Sequence, residues 1–339
     1  MNATFHRVEL PLSTPFSIAR GTTETAENVV VEIEADGETG YGAAAPSPRY
    51  GETIDTVEAV LPDLLAAAES VGDPHARRRI QTEMQATVRD NPAARAAVDI
   101  ALWDLAGSLL ETPLYRLLGL VPGGPETSYT IGLGPTDEMK RRAEAATDAG
   151  HSILKLKLGT DRDLEIVAAV RAAAPEATIR VDANEAWDRA EAIRKIETLE
   201  GYGVEFVEQP VPADGDLAAV YEAAPLPIVL DESVEDAASV SAVADICDGV
   251  NFKLVKCGGL TPTLDAIATA RAHGLSVMCG CMIETDAAIA AAAHLLPLLD
   301  YADLDGSLLL SEDPYDGVPV TGGRFDLAAV DSGTGVTPR

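Results

Sequence analysis

The chain has 339 residues, of which 47% are hydrophobic, so it is long enough to bury a sizeable core. It carries 55 acidic against 25 basic residues, a formal charge of -30 at pH 7. So negative a surface opposes binding to nucleic acid or to anionic membranes, and we expect neither as a partner.

The composition also indicates the environment in which the protein works. Lysine is almost absent, with six in the whole chain, and so acidic a surface favours a high-salt interior, where screening relieves self-repulsion. The N-terminus MNATFHRVELPLSTPF has no basic segment before an apolar core, and no apolar run reaches the length of a membrane span. We therefore expect a soluble cytoplasmic protein. The cysteines have no CxxC spacing, so we interpret them as reduced packing residues: Cys247, Cys257, Cys279 and Cys281.

Residues 1–122 predict an α+β domain. The segments TFHRVELPLS and NVVVEIEADGETGYGAA, with a DGETG turn, indicate an antiparallel meander. Residues 53–70 and 91–119 then have the pattern of two helices, the second long and apolar on a wide face. We expect the tail, residues 311–339, to fold back on this domain.

Residues 123–310 predict a second domain of alternating strands and helices. A short apolar run, a polar turn and an Ala-rich helical segment recur about every 22 to 26 residues. Eight strand candidates result, the number that closes a parallel barrel. They are YTIGL at 129, ILKLKL at 153, TIRVDA at 178, VEFVEQ at 204, PIVLDE at 227, GVNFKL at 249, LSVMCG at 275 and YADLDG at 301.

Three carboxylates stand at the carboxyl ends of adjacent predicted strands, where barrel enzymes build their active sites: Asp182, Glu208 and Asp231. Converging carboxylates need a cation, because their mutual repulsion in a buried site is otherwise too large. All-oxygen ligands without a nearby histidine point to Mg²⁺, with Mn²⁺ as the alternative. The simpler interpretation is a solvated acidic rim.

Four of the six lysines lie in two apolar strand segments, where burial of an ammonium group is costly. Lys157 on strand two and Lys253 on strand six would face each other across an eight-stranded ring. Burial near other cations lowers the pKa of a lysine, which can then take or give a proton, as arginine cannot. The alternative is an ionic core, which Lys155 fits best and which also suits Lys256.

At these residues the chain resembles the enolase superfamily in its muconate-lactonizing subgroup. The resemblance rests on the KLK pair, the carboxylates in VDAN, VEQP and LDES, and the later lysine of KLVKCGG. It implies a (β/α)7β modified TIM barrel with an N-terminal α+β capping domain that contributes specificity loops, and often a homo-oligomer. Enolase-type sites use a lysine base with Mg²⁺ and pass through an enolate.

Within that subgroup the chain looks most like the dipeptide epimerases, because of DLDG near residue 303. In that family the two aspartates, here Asp303 and Asp305, hold the α-amino group of the substrate, and Lys157 and Lys253 exchange the α-proton. Arg20, Arg49 and Tyr50 would lie in specificity loops, with an acidic dipeptide such as L-Ala-L-Glu as one expected substrate.

Three further expectations complete the predicted site. Lys155 would lie beside the substrate, and Asn184 and Glu232 would support the metal ligands. The alternatives are o-succinylbenzoate synthase or N-succinylamino acid racemase, then muconate cycloisomerase, and DLDG counts against these because their substrates offer no free ammonium. A barrel that binds metal or peptide without catalysis is the alternative from another class.

Overall fold

The computed structural model describes residues 1–339. Its N-terminal domain begins with an antiparallel sheet of three strands in the order β1-β2-β3, which confirms the predicted meander. The strands are β1 (Asn2–Ile18), β2 (Gly21–Ala35) and β3 (Glu38–Ala44), and the helices that follow are α1 (Ile54–Val71), α2 (Arg77–Thr87), α3 (Pro92–Leu109) and α4 (Leu114–Leu117).

The helix predicted over residues 91–119 is two helices. Helix α3 ends at Leu109, and Glu111 then takes a left-handed backbone conformation with φ of 47°. Pro113 disfavours helical geometry in the residue before it and starts the short α4. Helix α2 was not predicted at all. The prediction was therefore wrong in helix number, although the segments are helical.

Helix α3 packs directly on strand β3 because two glycines leave room for it. A Cβ on Gly42 would lie 2.2 Å from the carbonyl oxygen of Ala97, and one on Gly40 would lie 2.2 Å from that of Ala101. On its other side α3 reaches the barrel, where Asp99 accepts hydrogen bonds from the backbone and hydroxyl of Thr261 at 2.8 and 2.6 Å. The helix is thus a core element shared by both domains.

The second domain is an eight-stranded parallel barrel, as predicted. Its sheet runs in the order β11-β10-β9-β8-β7-β6-β5-β4, and a bridge between Thr127 and Ala302 brings its two edges together. The strands are β4 (Tyr129–Ile131), β5 (Ile153–Lys157), β6 (Thr178–Asp182), β7 (Val204–Glu208), β8 (Ile228–Leu230), β9 (Gly249–Lys253), β10 (Ser276–Gly280) and β11 (Tyr301–Asp303). The helices are α5 (Thr136–Asp148), α6 (Asp163–Ala173), α7 (Arg189–Glu200), α8 (Leu217–Ala223), α9 (Ala237–Val243), α10 (Leu254–Cys257), α11 (Leu260–Ala272) and α12 (Asp286–Ala293).

Strand register places the polar residues at one level. Lys157 pairs with Asp182 across β5 and β6, and Asp182 pairs with Glu208 across β6 and β7. On the other wall Gly280 pairs with both Lys253 and Asp303. The carboxyl ends of the strands therefore form one rim of charged side chains.

The tail after residue 310 contains two small antiparallel strand pairs. One is formed by β12 (Tyr315–Asp316) and β15 (Thr337–Pro338), and the other is a hairpin of β13 (Val320–Thr321) and β14 (Arg324–Phe325), which lies between them in the chain. Asp104 of α3 accepts hydrogen bonds from the backbone and hydroxyl of Thr334 at 2.6 and 2.8 Å. The tail also contacts the barrel, since Gly323 accepts a hydrogen bond from Thr127. All four cysteines are free, as predicted, and no helix has the length and apolarity needed to cross a membrane.

Candidate active site

The three predicted metal ligands converge at the rim. Asp182 and Glu208 end strands β6 and β7, Asp231 follows β8, and all three are fully buried. One oxygen from each carboxylate lies within 4.8 Å of the others. This oxygen-only donor set fits a hard divalent cation such as Mg²⁺.

The charges of the triad are balanced by ammonium groups. Burial alone would raise the pKa of Asp182, but Lys157 and Lys155 lower it to about 2. Burial and the neighbouring Asp182 carboxylate raise the pKa of Glu208 to about 8. The three carboxylates are thus in contact with four ammonium groups, and a metal ion would compete with these for the carboxylate oxygens: Lys155, Lys157, Lys253 and Lys256.

The two predicted catalytic lysines approach from strands β5 and β9, four positions apart in the barrel sheet. Lys157 donates to Asp182 at 2.6 Å, and Lys253 donates to Asp231 at 2.7 Å. Burial alone would lower the pKa of Lys253, but Asp231 holds it well above its ordinary value. In this arrangement of ion pairs the pKa of Lys253 is raised, and the lowering expected beside a bound metal ion stays a prediction.

Lys155 is an ionic core residue in the structure. Its ammonium lies 2.6 Å from Asp303, 2.7 Å from Glu208 and 3.2 Å from Asp182, and only 1% of the side chain is exposed. Lys256 is similar, donating to the carbonyl oxygens of Asp231 and Asn251 at 2.6 and 3.0 Å. Surrounded in this way, Lys155 organises the carboxylates and presents no free donor to a ligand, which differs from its predicted place beside the substrate.

Asp303 and Asp305 lie on the opposite side of the mouth from the triad ligand Asp231. Asp305 accepts a hydrogen bond from the backbone N–H of Thr130 at 2.6 Å, and the Thr130 hydroxyl lies 3.4 Å from Asp303. Burial, followed by the charge of Asp303, raises the pKa of Asp305 to about 7. Two adjacent carboxyl groups with one raised pKa form a suitable site for a cationic group.

A cleft of about 960 Å³ lies between the rim and the N-terminal domain. Both Lys157 and Lys253 line it, and so do Asp303 and Asp305. Its apolar wall is formed by Phe16, Ile18, Ile54, Met282, Ile283 and Leu309. The cleft therefore brings together the lysine pair, the aspartate pair and the N-terminal domain.

The three predicted specificity residues also line this cleft. Arg20 lies at the tip of the β1–β2 hairpin, and Arg49 and Tyr50 lie in a 3-10 turn (Pro48–Tyr50). Most of the segment around Arg20 predicted as a loop is paired strand. Burial and the nearby Asp231 charge raise the pKa of Tyr50 well above its usual range, so the phenol stays protonated.

The two predicted supporting residues contact their expected neighbours. Asn184 donates its side-chain amide to Asp182 and to Glu232, each at 3.2 Å. Glu232 also accepts a hydrogen bond from Arg20 at 2.7 Å, so the hairpin tip is joined to the metal-ligand loops.

Sequence reasoning missed three residues of the site. Asn251 donates to Glu208 at 2.8 Å, and it stands two residues before Lys253, so strand alternation already placed it on the inner face. Thr130 contacts both aspartates of the β11 end. Glu185 binds both arginines, and nothing in its sequence position beyond adjacency to VDAN signalled that role.

A parallel barrel with three carboxylates at successive strand ends, two opposed lysines and an N-terminal cap defines a metal-dependent enzyme of the enolase type. The model for the enolase C-terminal domain-like family matches residues 138–339, and that for the N-terminal domain of mandelate racemase / muconate lactonizing enzyme matches residues 1–119. The chain belongs to the mandelate racemase / muconate lactonizing enzyme family.

Its relatives include several epimerases. An L-Ala-D/L-Glu epimerase from Bacteroides thetaiotaomicron is 40% identical over 96% of this chain and 85% of its own, and one from Escherichia coli is 39% identical over 94% and 97%. Among solved structures, a dipeptide epimerase from Enterococcus faecalis complexed with Mg and L-Leu-L-Tyr has a TM-score of 0.94 and 32% identity, covering 99% of this chain and 98% of its own.

Proposed function

We propose that the protein is a Mg²⁺-dependent dipeptide epimerase that inverts one α-carbon by 1,1-proton transfer. The observation that carries this proposal is a cleft lined by a lysine pair and an aspartate pair, in which each lysine donates to a carboxylate of the buried triad. Several relatives of high coverage agree, since they are epimerases of dipeptides.

Different residues of the site bind different groups of the substrate. Asp303 and Asp305 bind the free α-ammonium group, and the terminal carboxylate lies toward the triad of Asp182, Glu208 and Asp231. This leaves the α-carbon of the second residue between the lysines on β5 and β9. A bound Mg²⁺ would stabilise the negative charge that develops on the carboxylate as the proton leaves.

Proton transfer then falls to the two lysine Nζ atoms. One neutral amine removes the α-proton to give the enolate, and the other ammonium delivers a proton to the opposite face, which produces the epimer. Lys157 and Lys253 each donate to a carboxylate of the triad. Competition from a cation for those carboxylates would weaken both ion pairs and move the pKa of Lys253 back toward the range of proton exchange.

Other reactions of this family use similar lysines. The structure of an N-succinyl Arg/Lys racemase from Bacillus cereus is 26% identical to this chain, with a TM-score of 0.91. Its N-acylated class of substrate carries no free α-ammonium group, and nor do the substrates of o-succinylbenzoate synthase and muconate cycloisomerase. Asp303 already pairs with Lys155, but Asp305 would face those substrates without a cationic partner, so the aspartate pair favours a dipeptide.

The test is deuterium exchange. Purified protein with Mg²⁺ and high KCl is incubated in D₂O with pooled L,L-dipeptides, and each mass is followed for the gain of one deuteron. Gain in particular dipeptides is the expected result and identifies the substrates. No gain from folded, metal-loaded protein, but exchange with an N-succinyl amino acid, would contradict the proposal.

We further propose that the enzyme works in the cytoplasm at high salt and as a homo-oligomer. The charge of -30 supports the first, because salt screens the self-repulsion of so acidic a chain. The exposed side chains of Leu110 and Val121 support the second, as apolar groups that a second copy would cover. Melting curves against KCl concentration and light scattering of the purified protein test the two proposals.

A further inference from the structure

We propose that Glu185 is a positioning residue that holds Arg20 and Arg49 together as a receptor for an acidic side chain on the second residue of the dipeptide. This inference rests on the proposed function and narrows its substrate class. Sequence reasoning brought either arginine to the cleft, but it gave neither a partner nor an orientation. The structure supplies both.

Glu185 makes a dense set of contacts. Its two carboxylate oxygens accept hydrogen bonds from Nε and Nη2 of Arg49, both at 2.7 Å. The same carboxylate accepts from Nη1 of Arg20 at 3.2 Å and from the backbone N–H of Ala213 at 3.0 Å. One anion thus joins two guanidinium groups that come from separate segments of the N-terminal domain.

The arginines lie between this carboxylate and the cleft. Arg20 and Arg49 line the cleft and are 36% and 33% exposed, whereas Glu185 is outside the lining and 12% exposed. Arg49 keeps Nη1 free of protein partners, and Arg20 keeps Nε free. Each guanidinium therefore retains N–H donors for a ligand, in the planar geometry that matches a carboxylate.

Two like charges need a counter-ion to converge in this way. Without a carboxylate between them the guanidinium groups would repel each other, and each side chain is long enough to turn into solvent. Burial alone would raise the pKa of Glu185, but Arg49 and the Ala213 N–H bond lower it below the ordinary value, so the group is an anion. Glu185 therefore sets the position of Arg49 and, together with Glu232 at 2.7 Å, that of Arg20.

The backbone of this loop is held in an uncommon conformation. Asn184 and Glu185 have left-handed φ values of 45° and 70°, and Gln209, whose carbonyl accepts from the Glu185 N–H at 2.9 Å, has φ of 35°. Such strain in non-glycine residues persists only where the surroundings impose it, and it clusters at functional sites. The loop directly follows the metal ligand Asp182, and its residues Asn184 and Glu185 bind the arginines. The loop therefore sets the distance between the arginines and the metal ligands.

The experiment compares Glu185→Gln with the wild-type enzyme on two isosteric substrates, L-Ala-L-Glu and L-Ala-L-Gln. The wild type should prefer the acidic dipeptide by about 10-fold or more in kcat/KM. Glu185→Gln should raise KM for L-Ala-L-Glu by about 10-fold with kcat within about 3-fold, and should leave KM for L-Ala-L-Gln nearly unchanged. Retained exchange of L-Ala-L-Gln shows that the variant is folded and metal-loaded.

Two controls sharpen the result. Glu176→Gln removes the same charge at an exposed position away from the cleft and should leave both KM values unchanged. Arg49→Gln should raise KM for L-Ala-L-Glu as Glu185→Gln does. In the double variant KM should rise by less than the product of the two single effects, because the residues act together.

Opposite outcomes would overturn the assignment. If Glu185→Gln improves L-Ala-L-Glu relative to L-Ala-L-Gln, Glu185 repels acidic side chains instead of organising their receptor. A wild-type enzyme with a higher kcat/KM for L-Ala-L-Gln than for L-Ala-L-Glu would likewise overturn the assignment. Absence of exchange with every dipeptide would overturn the proposed function, and this assignment with it, whereas exchange limited to neutral dipeptides would overturn this assignment alone.

Discussion

The barrel rim and the N-terminal cap build the cleft in different ways. Rim groups such as Lys155 and Asp182 are almost fully buried, and strand register places them in contact with several partners each. The cap contributes Arg20 and Arg49 from a hairpin tip and a 3-10 turn, and these side chains are about a third exposed. The rim groups are therefore fixed by many contacts, whereas the arginines of the cap keep part of their surface free for a ligand.

The largest effect should come from the rim lysines. Lys157→Ala and Lys253→Ala should each abolish epimerisation, with a loss on the order of 10⁴-fold, because each removes the proton donor or acceptor on one face. Each variant should still exchange the α-proton of one epimer in D₂O, which would assign the lysines to their faces. Lys140→Ala, a half-exposed lysine of α5, is the matched control and should leave activity unchanged. Full activity in either Lys157→Ala or Lys253→Ala would show that the substituted lysine does not transfer the proton.

Removal of a metal ligand should have the next largest effect. Glu208→Gln keeps the shape of the side chain and lowers its negative charge, so we expect a loss on the order of 10³-fold in kcat/KM. The Tm of the wild type should rise with Mg²⁺ concentration, and that of the variant should not. Glu205→Gln, three residues earlier on β7, is the control. An unchanged response to Mg²⁺ in Glu208→Gln would place the metal elsewhere.

A change in the cap should alter binding more than chemistry. Gly42→Ala places a Cβ against the backbone of α3, and such overpacking costs about 1–3 kcal/mol of unfolding free energy. We expect a lower Tm and a higher KM, with kcat nearly retained in the folded fraction. Gly134→Ala, whose added Cβ meets no atom closer than 3.7 Å, should change neither. A fall in kcat at constant KM would mean that the cap also shapes the proton-transfer geometry.

The smallest effect should be on pH-dependent stability. Lysines hold the pKa of Asp182 low in the rim, but burial raises the pKa of Asp99 and of Asp104 in the cap to about 6. A raised carboxyl pKa contributes stability that is present below the unfolded value and is lost as pH rises through about 6. His294, with its pKa lowered by burial to about 4, opposes this trend. Calorimetry of the metal-free protein should give a higher Tm at pH 5 than at pH 7. A lower Tm at pH 5 would contradict the raised pKa values of Asp99 and Asp104.

The rim could be predicted from sequence because strands impose a period of two. KLK places Lys155 and Lys157 on one inner face, and the strand spacing brings the carboxylates of VDAN, VEQP and LDES to one level. The alternation of side chains along the strand did not predict that Lys155 and Lys157 have different surroundings. One is enclosed by three carboxylates and the other lines the cleft, a difference that depends on which neighbours lie within reach.

The cap could be predicted only in outline. Its meander follows from alternation and the DGETG turn, but the end of α3 depends on a left-handed Glu111 that no periodicity marks. Glu185 escaped prediction because its partners are 136 and 165 residues away, on two unrelated turns. Long-range ion pairs between loops leave no local pattern in a single sequence.

The hydrogen bonds between Asp104 and Thr334 have a consequence for the order of synthesis. The two residues are 230 positions apart, and Leu12 likewise pairs with Leu310. On the ribosome the cap is therefore translated first but completed late, after the barrel and part of the tail have emerged. A nascent chain arrested within the barrel should therefore lack the contacts of Thr334 with α3, and the face of α3 around Asp104 should be more open to protease than in the full chain.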